Sequence, residues 1–515
     1  MFIKKNALTS PPRDAVPIRV RRFVRHTATA ALLIIAGAVV AAPGALDTTF
    51  GAAGTGKVFT AIGAGNDNAN AMAIQPDGKI VLAGGCVNGA NTDFCVARYN
   101  VDGTLDTNFN GNGKVLSPIS TSDDIASSLA IQPDGKIVLA GYCFNGANQD
   151  FCVARFTAAG ALDTSFNTTG FVITPMGTDN DYASAVALQL DGKIVVAGYC
   201  FVSPGYDFCA ARYGANGVLD TTFNGNGRVI TPVGSGDDVG NSVVVQIDGK
   251  IIVGGYCKNG GNNDFCLVRY KTDGVLDTTF SSGGSGKLIA GIGANNDYAN
   301  RIAIQPDGKI VAAGFCYNAG ANGVCVARFN ADGSFDTTLN STGKVFTAVG
   351  GINDDAASIV IQPDGKILTA GSCLNGANSD FCLVRYFNDG SLDARFNGTG
   401  KVISTIGNGN DFAKAVAQQP DGKIVVAGYC VNGANNDFCL ARYDGGSFFA
   451  SQCSMDIDGD GSVLATTDSL IHARIALGIT GSAVVGGITF PNGAKRTTWP
   501  QIRDFLNTQC GMTLP

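Results

Sequence analysis

Gln132-Pro133-Asp134-Gly135-Lys136 is the most telling stretch of the chain, because it returns. The same five residues begin at Gln75, Gln305, Gln362 and Gln419, and near-copies with Leu190 and Ile247 in the proline position begin at Gln189 and Gln246. Successive starts lie 57, 57, 57, 59, 57 and 57 residues apart. A fixed period of this length marks a repeat architecture, in which no unit buries its apolar face alone. Two further strings keep the same step. Leu-Asp-Thr-Thr-Phe or a near relative starts at Leu46, Leu105, Leu162, Leu219, Leu276, Phe335 and Leu392. Phe-Cys-Val-Ala-Arg-Tyr or a near relative recurs as at Phe94 to Tyr99 and Phe438 to Tyr443.

Outward from Gln132, the repeat resolves into four strand-like runs. Ala126 to Gln132 is the first and stops at the Pro133-Asp134-Gly135 turn. Lys136 to Cys143, rich in Ile and Val, is the second, and Asn145-Gly146-Ala147-Asn148 is a loop. Asp150 to Phe156 is the third, and Gly170 to Pro175 the fourth. β-branched residues between Gly, Pro, Asn and Asp stops are the signature of antiparallel strands. Four strands per unit and seven units describe an all-β, seven-bladed β-propeller. A β-solenoid is the rival, but its coils are shorter and lack the hairpins. The first runs are full of small residues, such as Ala69, Ala71 and Ala73, as strands converging on an axis require. The chain enters this region with a fourth-strand segment and leaves with a third. Lys57 to Ile62 is therefore expected to complete the last blade and close the ring, removing two exposed sheet edges.

Composition agrees with a β-rich globule. Hydrophobic residues make up 45% and charged residues 15%, which supplies a core and argues against disorder. All 42 acidic residues are Asp, a turn residue and a poor helix former. Residues 1–44 read differently. Lys4, Lys5, Arg13, Arg19, Arg21, Arg22 and Arg25 against Asp14 precede an apolar run from about Ala28 to Ala42, the pattern of a cleaved signal peptide. The run is short for a membrane span, so no transmembrane helix is expected in the mature chain. Loss of a +6 leader takes the chain from −6 to about −12, a poor match for nucleic acid.

The cysteines fit export. Fourteen of the 16 form pairs nine positions apart: Cys86 and Cys95, Cys143 and Cys152, Cys200 and Cys209, Cys257 and Cys266, Cys316 and Cys325, Cys373 and Cys382, Cys430 and Cys439. An even count in an exported chain reads as disulfides. Zinc would want Cys-x-x-Cys knuckles or histidines, and the chain has only His26 and His472. Each pair is expected to sit astride a loop of about seven residues, facing across a hairpin. Such clips belong to single blades, so reduction is expected to loosen the rim before the core. Arg98, Arg155, Arg212, Arg269, Arg328, Arg385 and Arg442 recur at one site, as do Asp47, Asp106, Asp163, Asp220, Asp277, Asp336 and Asp393. An Arg–Asp pair in every blade is expected, serving architecture.

The combination of Leu-Asp-Thr-Thr-Phe, Gln-Pro-Asp-Gly-Lys and Ala-Arg-Tyr-x-x-Asp-Gly resembles the delta-60 repeat family of bacterial exported proteins. That resemblance covers residues 45–446 and implies a β-propeller, without an agreed activity. Composition changes afterwards. Asp456-Ile457-Asp458-Gly459-Asp460-Gly461-Ser462 places oxygens at positions 1, 3 and 5 and Gly at 6, the start of an EF-hand-type calcium loop that Asp468 would close. Residues 447–515 thus resemble a dockerin-like helical module. They depart from it in the closing acid, in Leu464, and in having no second Asp-rich loop. Helices are expected from about Thr467 to Leu477 and from about Trp499 to Thr508, with Cys453 and Cys510 stapling the module.

Two functional classes follow. The first is a secreted or cell-surface, monomeric, non-catalytic binding protein for an extracellular glycan or protein. Its expected binding face carries Asp67, Asp124, Asp181, Asp238, Asp297, Asp355 and Asp411 beside Asn-Gly-Ala-Asn-like loops. The second is a calcium-dependent hydrolase or lyase acting on a polysaccharide or another extracellular polymer. Its acid–base work would fall to Asp, Tyr or Lys.

Overall fold

A computed structural model describes residues 42–318, 320–446, 457, 471, 474, 475, 481–490 and 494–509. Between residues 57 and 443 the chain forms 28 strands in seven four-stranded antiparallel sheets. Blade 1 is β2 (Asp67–Ile74), β3 (Ile80–Asn88), β4 (Asn91–Tyr99) and β5 (Lys114–Ser117), and the next five blades repeat that order in sequence. Blade 7 joins β26 (Asp411–Gln418), β27 (Ile424–Asn432) and β28 (Asn435–Tyr443) to β1 (Lys57–Thr60), with Lys57 opposite Ala441 and Thr60 opposite Phe438. The amino-terminal strand closes the ring, as the phase of the repeat requires.

Each strand's composition follows its depth in the blade. The two middle strands lie between neighbouring blades and read as continuous apolar runs, such as IVLAGYCF in β7 (Ile137–Phe144). The innermost strands alternate buried and half-buried positions, one face on the next blade and one on the axis. The outermost strands have four residues, which leaves little edge to template aggregation. Apolar clusters fill the spaces between blades; one holds Ala71, Val81 and Ala83 of blade 1 with Ile137, Leu139 and Cys143 of blade 2.

In each Gln-Pro-Asp-Gly-Lys turn the Gly takes a left-handed conformation. Gly135 has φ 81° and donates to Gln132 O at 2.9 Å, while Lys136 N bonds Asp134 Oδ1 at 3.2 Å. In six blades the innermost strand carries a β-bulge, as between Ala183 and Ala185. The partner there is a glycine: a Cβ on Gly198 would lie 1.9 Å from Tyr182 O, so no other residue fits. In blade 6 the strand shrinks to β22 (Ser358–Ile361).

All seven cysteine pairs within the ring are disulfides, with Cα separations of 5.5–6.0 Å. Two expectations about them change. The cysteines are not directly opposite: Cys86 pairs in register with Asp93, and Cys95 with Gly84, so the bond runs diagonally. Nor do they straddle a seven-residue loop in most blades, because the strands continue to Asn88 and Asn91 and a two-residue turn closes the hairpin. The cysteines also belong to the apolar clusters between blades.

Past residue 446, Ile457, Ile471, Ile475, Val484, Trp499, Ile502 and Leu506 form a separate apolar cluster. Helix α1 (Trp499–Gln509) lies where the second helix was expected, and Ile471, Arg474 and Ile475 are helical within the first expected span. Asp456, Asp458, Asp460, Ser462, Asp468, Cys453 and Cys510 lie outside the described residues.

Candidate functional site

The two ends of the blades do different jobs. At the end bearing the Gln-Pro-Asp-Gly-Lys turns, every blade carries the expected Arg–Asp pair. Arg Nε meets Asp Oδ2 at 2.6–3.1 Å in six blades, from Arg98–Asp106 to Arg385–Asp393, and Arg442 meets Asp47 at 2.9 Å in blade 7. The guanidinium also reaches a backbone carbonyl of the following blade: Arg98 to Ala158 O at 2.6 Å, and Arg442 to Val101 O at 2.6 Å, back in blade 1. In six blades it lies 4.3–4.8 Å over the Phe of the Leu-Asp-Thr-Thr-Phe string, such as Phe109 or Phe50. Blade 5 has Leu339 in place of that ring. Burial would raise these carboxyls, but hydrogen bonds and the cations outweigh it and hold Asp220 and Asp277 at about 2.

At the opposite end, the expected acidic face is not built from the expected groups. Asp67, Asp124, Asp181, Asp238, Asp297 and Asp411 are fully buried. Each turns inward to accept the backbone N–H groups of the loop entering its strand. Asp67 takes Ile62 N at 2.6 Å and Gly63 N at 3.0 Å, and Asp411 takes Ile406 N at 2.7 Å. In blade 6 that role belongs to Asp354, which takes Val349 N at 2.7 Å, and not to Asp355. Sequence cannot say which way a turn Asp points; an unsatisfied backbone donor decides it.

What sets the blades apart lies elsewhere at this end. The residue before the first Cys of each pair is Gly85, Tyr142, Tyr199, Tyr256, Phe315, Ser372 and Tyr429. Tyr142, Tyr199, Tyr256 and Phe315, with Tyr182, Tyr206 and Tyr298, form an aromatic row across blades 2 to 5, while Tyr429 pairs with Phe412 in blade 7. Tyr142–Tyr182, Tyr182–Tyr199 and Tyr199–Tyr206 have centroids 4.9, 5.1 and 5.3 Å apart; Tyr256–Tyr298 and Tyr298–Phe315 are 4.7 Å apart. Tyr199, Tyr206, Tyr256 and Tyr298 line an open cavity of about 1040 Å³ with Asp207, Asp237, Lys258 and Asn263. Asn263 Nδ2 donates to Tyr298 Oη at 3.1 Å.

Asp207 distinguishes blade 3. Its counterparts Asp93, Asp264, Asp380 and Asp437 each accept an Asn side chain five residues earlier, at 2.6–2.7 Å. Val202 stands in that place in blade 3, and among the described residues Asp207 has no hydrogen-bond partner. Burial and nearby Asp238 push its carboxyl above the usual range. The cavity therefore offers flat apolar rings beside a free carboxylate.

The second departure lies on the axis. The bulged residues pointing there are Asn70, Ser127, Ser184, Asn241 and Asn300, but Lys414 takes the position in blade 7. One residue further along, where the other blades have Ala or Ser, blade 5 has Arg301. With Asp355 these line a channel of about 310 Å³. Sequence reasoning missed both features, although aligning the seven copies column by column exposes the Tyr series and the two lone cations.

Among the described residues no group of acidic, His or Cys side chains could hold a metal, and no helix is long and apolar enough to cross a membrane.

Seven such blades make the molecule a repeat β-propeller. The family model described as "Domain of unknown function (DUF5122) beta-propeller" matches it over residues 75–109, 132–166, 189–223, 246–280, 305–339, 362–396 and 419–446. Six matches end at the last position of the Leu-Asp-Thr-Thr-Phe string, and the last is shorter because its counterpart, Phe50, which packs under the arginine of the blade 7 Arg–Asp latch, lies at the other end of the chain. No curated protein matches the sequence. Similar solved structures include Sqt1 from Chaetomium thermophilum, at 14% identity and TM-score 0.43 over 76% of this chain and 98% of that one. The polysaccharide lyase Uly1 aligns at 12% and 0.41 over 73% and 90%. A catalytically inactive virginiamycin B lyase from Staphylococcus aureus aligns at 11% and 0.40 over 75% and 98%.

Proposed function

We propose that this is an exported, non-catalytic binding protein that takes a glycan on the aromatic row of blades 3 to 5. The observation that carries the reading is the cavity of about 1040 Å³ walled by Tyr199, Tyr206, Tyr256 and Tyr298. A sugar ring presents an apolar C–H face and a rim of hydroxyls. Tyrosine rings match the face, and Asp207, Asp237 and Asn263 can accept or donate at the rim. The cavity is open, which leaves room for a chain of sugars. Seven disulfides support export, since such bonds persist in oxidising compartments.

Calcium remains part of the proposal through Asp456, Asp458, Asp460, Ser462 and Asp468, on sequence spacing. Chelator should lower the melting temperature of the carboxy-terminal segment, and an unchanged value would sink that assignment. For the glycan site, an array of plant, algal and bacterial polysaccharides followed by calorimetry on the full mature chain is the test. Binding is expected to fall tenfold or more in Tyr206→Ala and Tyr256→Ala, with no turnover of the ligand. Chain cleavage by the wild type, or binding indifferent to both variants, would overturn the reading.

A further inference from the structure

We infer that the axial channel is a binding site for an oxyanion, held by Arg301 of blade 5 and Lys414 of blade 7. Both residues depart from the repeat. At the register of Arg301 the other blades have Ala71, Ser128, Ala185, Ser242, Ser358 and Ala415. These side chains serve packing; Ser242 Oγ, for example, accepts Ile302 N of the next blade at 3.2 Å. At the register of Lys414 they have Asn70, Ser127, Ser184, Asn241, Asn300 and Ala357. Three of those, Asn70, Asn241 and Asn300, tie their own blade to the next through a backbone carbonyl at 2.9 Å. Arg301 and Lys414 give up these structural roles; Lys414 Nζ lies 5.6 and 5.8 Å over the Tyr429 and Phe412 rings, whereas among the described residues Arg301 makes no such contact.

Their surroundings point to a ligand. Arg301 is sunk in the channel wall and only partly open to solvent, and among the described residues it has no hydrogen-bond or ion-pair partner. Burial alone lowers its pKa, with no anion of the protein opposing. An arginine held this way, without a carboxylate, is costly unless something else supplies the charge. All seven latch arginines, by contrast, are paired. Asp355, on the channel wall near Lys414, accepts Ser372 N through Oδ1 at 2.5 Å and forms no ion pair with Arg301. Two cations against one carboxylate leave the channel net positive within an otherwise acidic protein. The hydroxyls of Ser127 and Ser184, half-buried on the same wall, have no partner among the described residues and can donate to a bound oxygen. Arg binds planar or tetrahedral oxyanions through two parallel N–H donors, and Lys adds a point charge. The volume of about 310 Å³ admits a carboxylate, phosphate or sulfate, or such a group on a larger ligand.

The test uses the full mature chain and three probes: acetate, inorganic phosphate and sulfate, each against chloride at matched ionic strength. At least one should raise the melting temperature saturably and bind with measurable heat, and which one does so identifies the oxyanion. The variants Arg301→Ser and Lys414→Asn install residues that other blades hold in register, so both should fold with undiminished melting temperature. Each should lose tenfold or more in affinity. Tyr206→Ala, in the aromatic row, should keep the full response, which separates this site from the glycan reading. No saturable response in the wild type, or an equal response in the two channel variants, would overturn the assignment.

Discussion

The two ends of the blades were built from one repeat and have diverged to different degrees. At the latch end, an Arg–Asp pair with Arg Nε 2.6–3.1 Å from Asp Oδ2 occurs in all seven blades. At the other end, the buried loop carboxylates are equally regular, but the residues between them and solvent change from blade to blade. The contrast separates architecture from recognition. A contact every blade needs cannot vary without weakening the ring, whereas a ligand touches only a few blades and selects residues there.

Four experiments press on that contrast. The largest effect is expected from deleting residues 45–62. This removes β1 and also Asp47 and Phe50, the blade 7 latch partners of Arg442. The melting temperature should fall by more than about 10 °C, given that each kcal/mol shifts a large domain by roughly 2–4 °C; an unchanged value would mean the ring does not depend on its closing strand. Next, Arg212→Ala takes the guanidinium from Asp220 and leaves it Lys193 at 3.4 Å as an ion-pair partner beside its Thr222 hydrogen bonds. Breaking such a buried pair costs about 3–5 kcal/mol, measurable by urea titration. A loss under about 1 kcal/mol would move the latch from structure to ornament.

The third experiment is a pH scan, because the two ends titrate in opposite senses. At the latch end, Asp220 and Asp277 are held at about 2, so their stabilisation is present above the unfolded value near 4 and is lost as pH falls toward 2. At the opposite end burial pushes Asp150 up to about 6, and Asp67, Asp181, Asp238, Asp297 and Asp411 upward. A raised carboxyl binds its proton more tightly folded than unfolded, so stability falls as pH rises through its folded value. The unfolding free energy should therefore peak at about pH 4–5, between the two windows. A maximum at neutral pH would show that one end dominates. Smallest is Leu190→Pro. Leu190 is 93% exposed where five other turns hold proline, so the change should add about 0.4–1 kcal/mol through the unfolded chain.

The fold was legible in the sequence because repetition multiplies weak signals. Five copies of Gln-Pro-Asp-Gly-Lys and two near-copies fix the turns, the phase of the repeat predicts the closing strand, and nine-residue Cys spacing predicts the disulfides. The Arg–Asp latch was legible for the same reason. What failed was direction. Asp67 and its equivalents are typical surface turn residues by type, yet each accepts backbone donors of the loop before it. Recognition was harder to read because it resides in departures from the repeat. Tyr199, Tyr256, Arg301 and Lys414 stand out only when each copy is compared with its sisters at the same register.

Closure by β1 also has a consequence for the order of events. Residues 57–60 and 435–443 are the first and last strands made, and they are hydrogen-bonded neighbours in the finished ring. Intermediate blades can collapse one by one as they emerge, but the circle stays open until the final repeat arrives. If the chain crosses a membrane thread-like, its amino-terminal strand must wait on the far side for the last blade. The molecule thereby carries its own length check: a truncated translation or export product would lack the partner for β1 and would present two open edges to the proteases of that compartment.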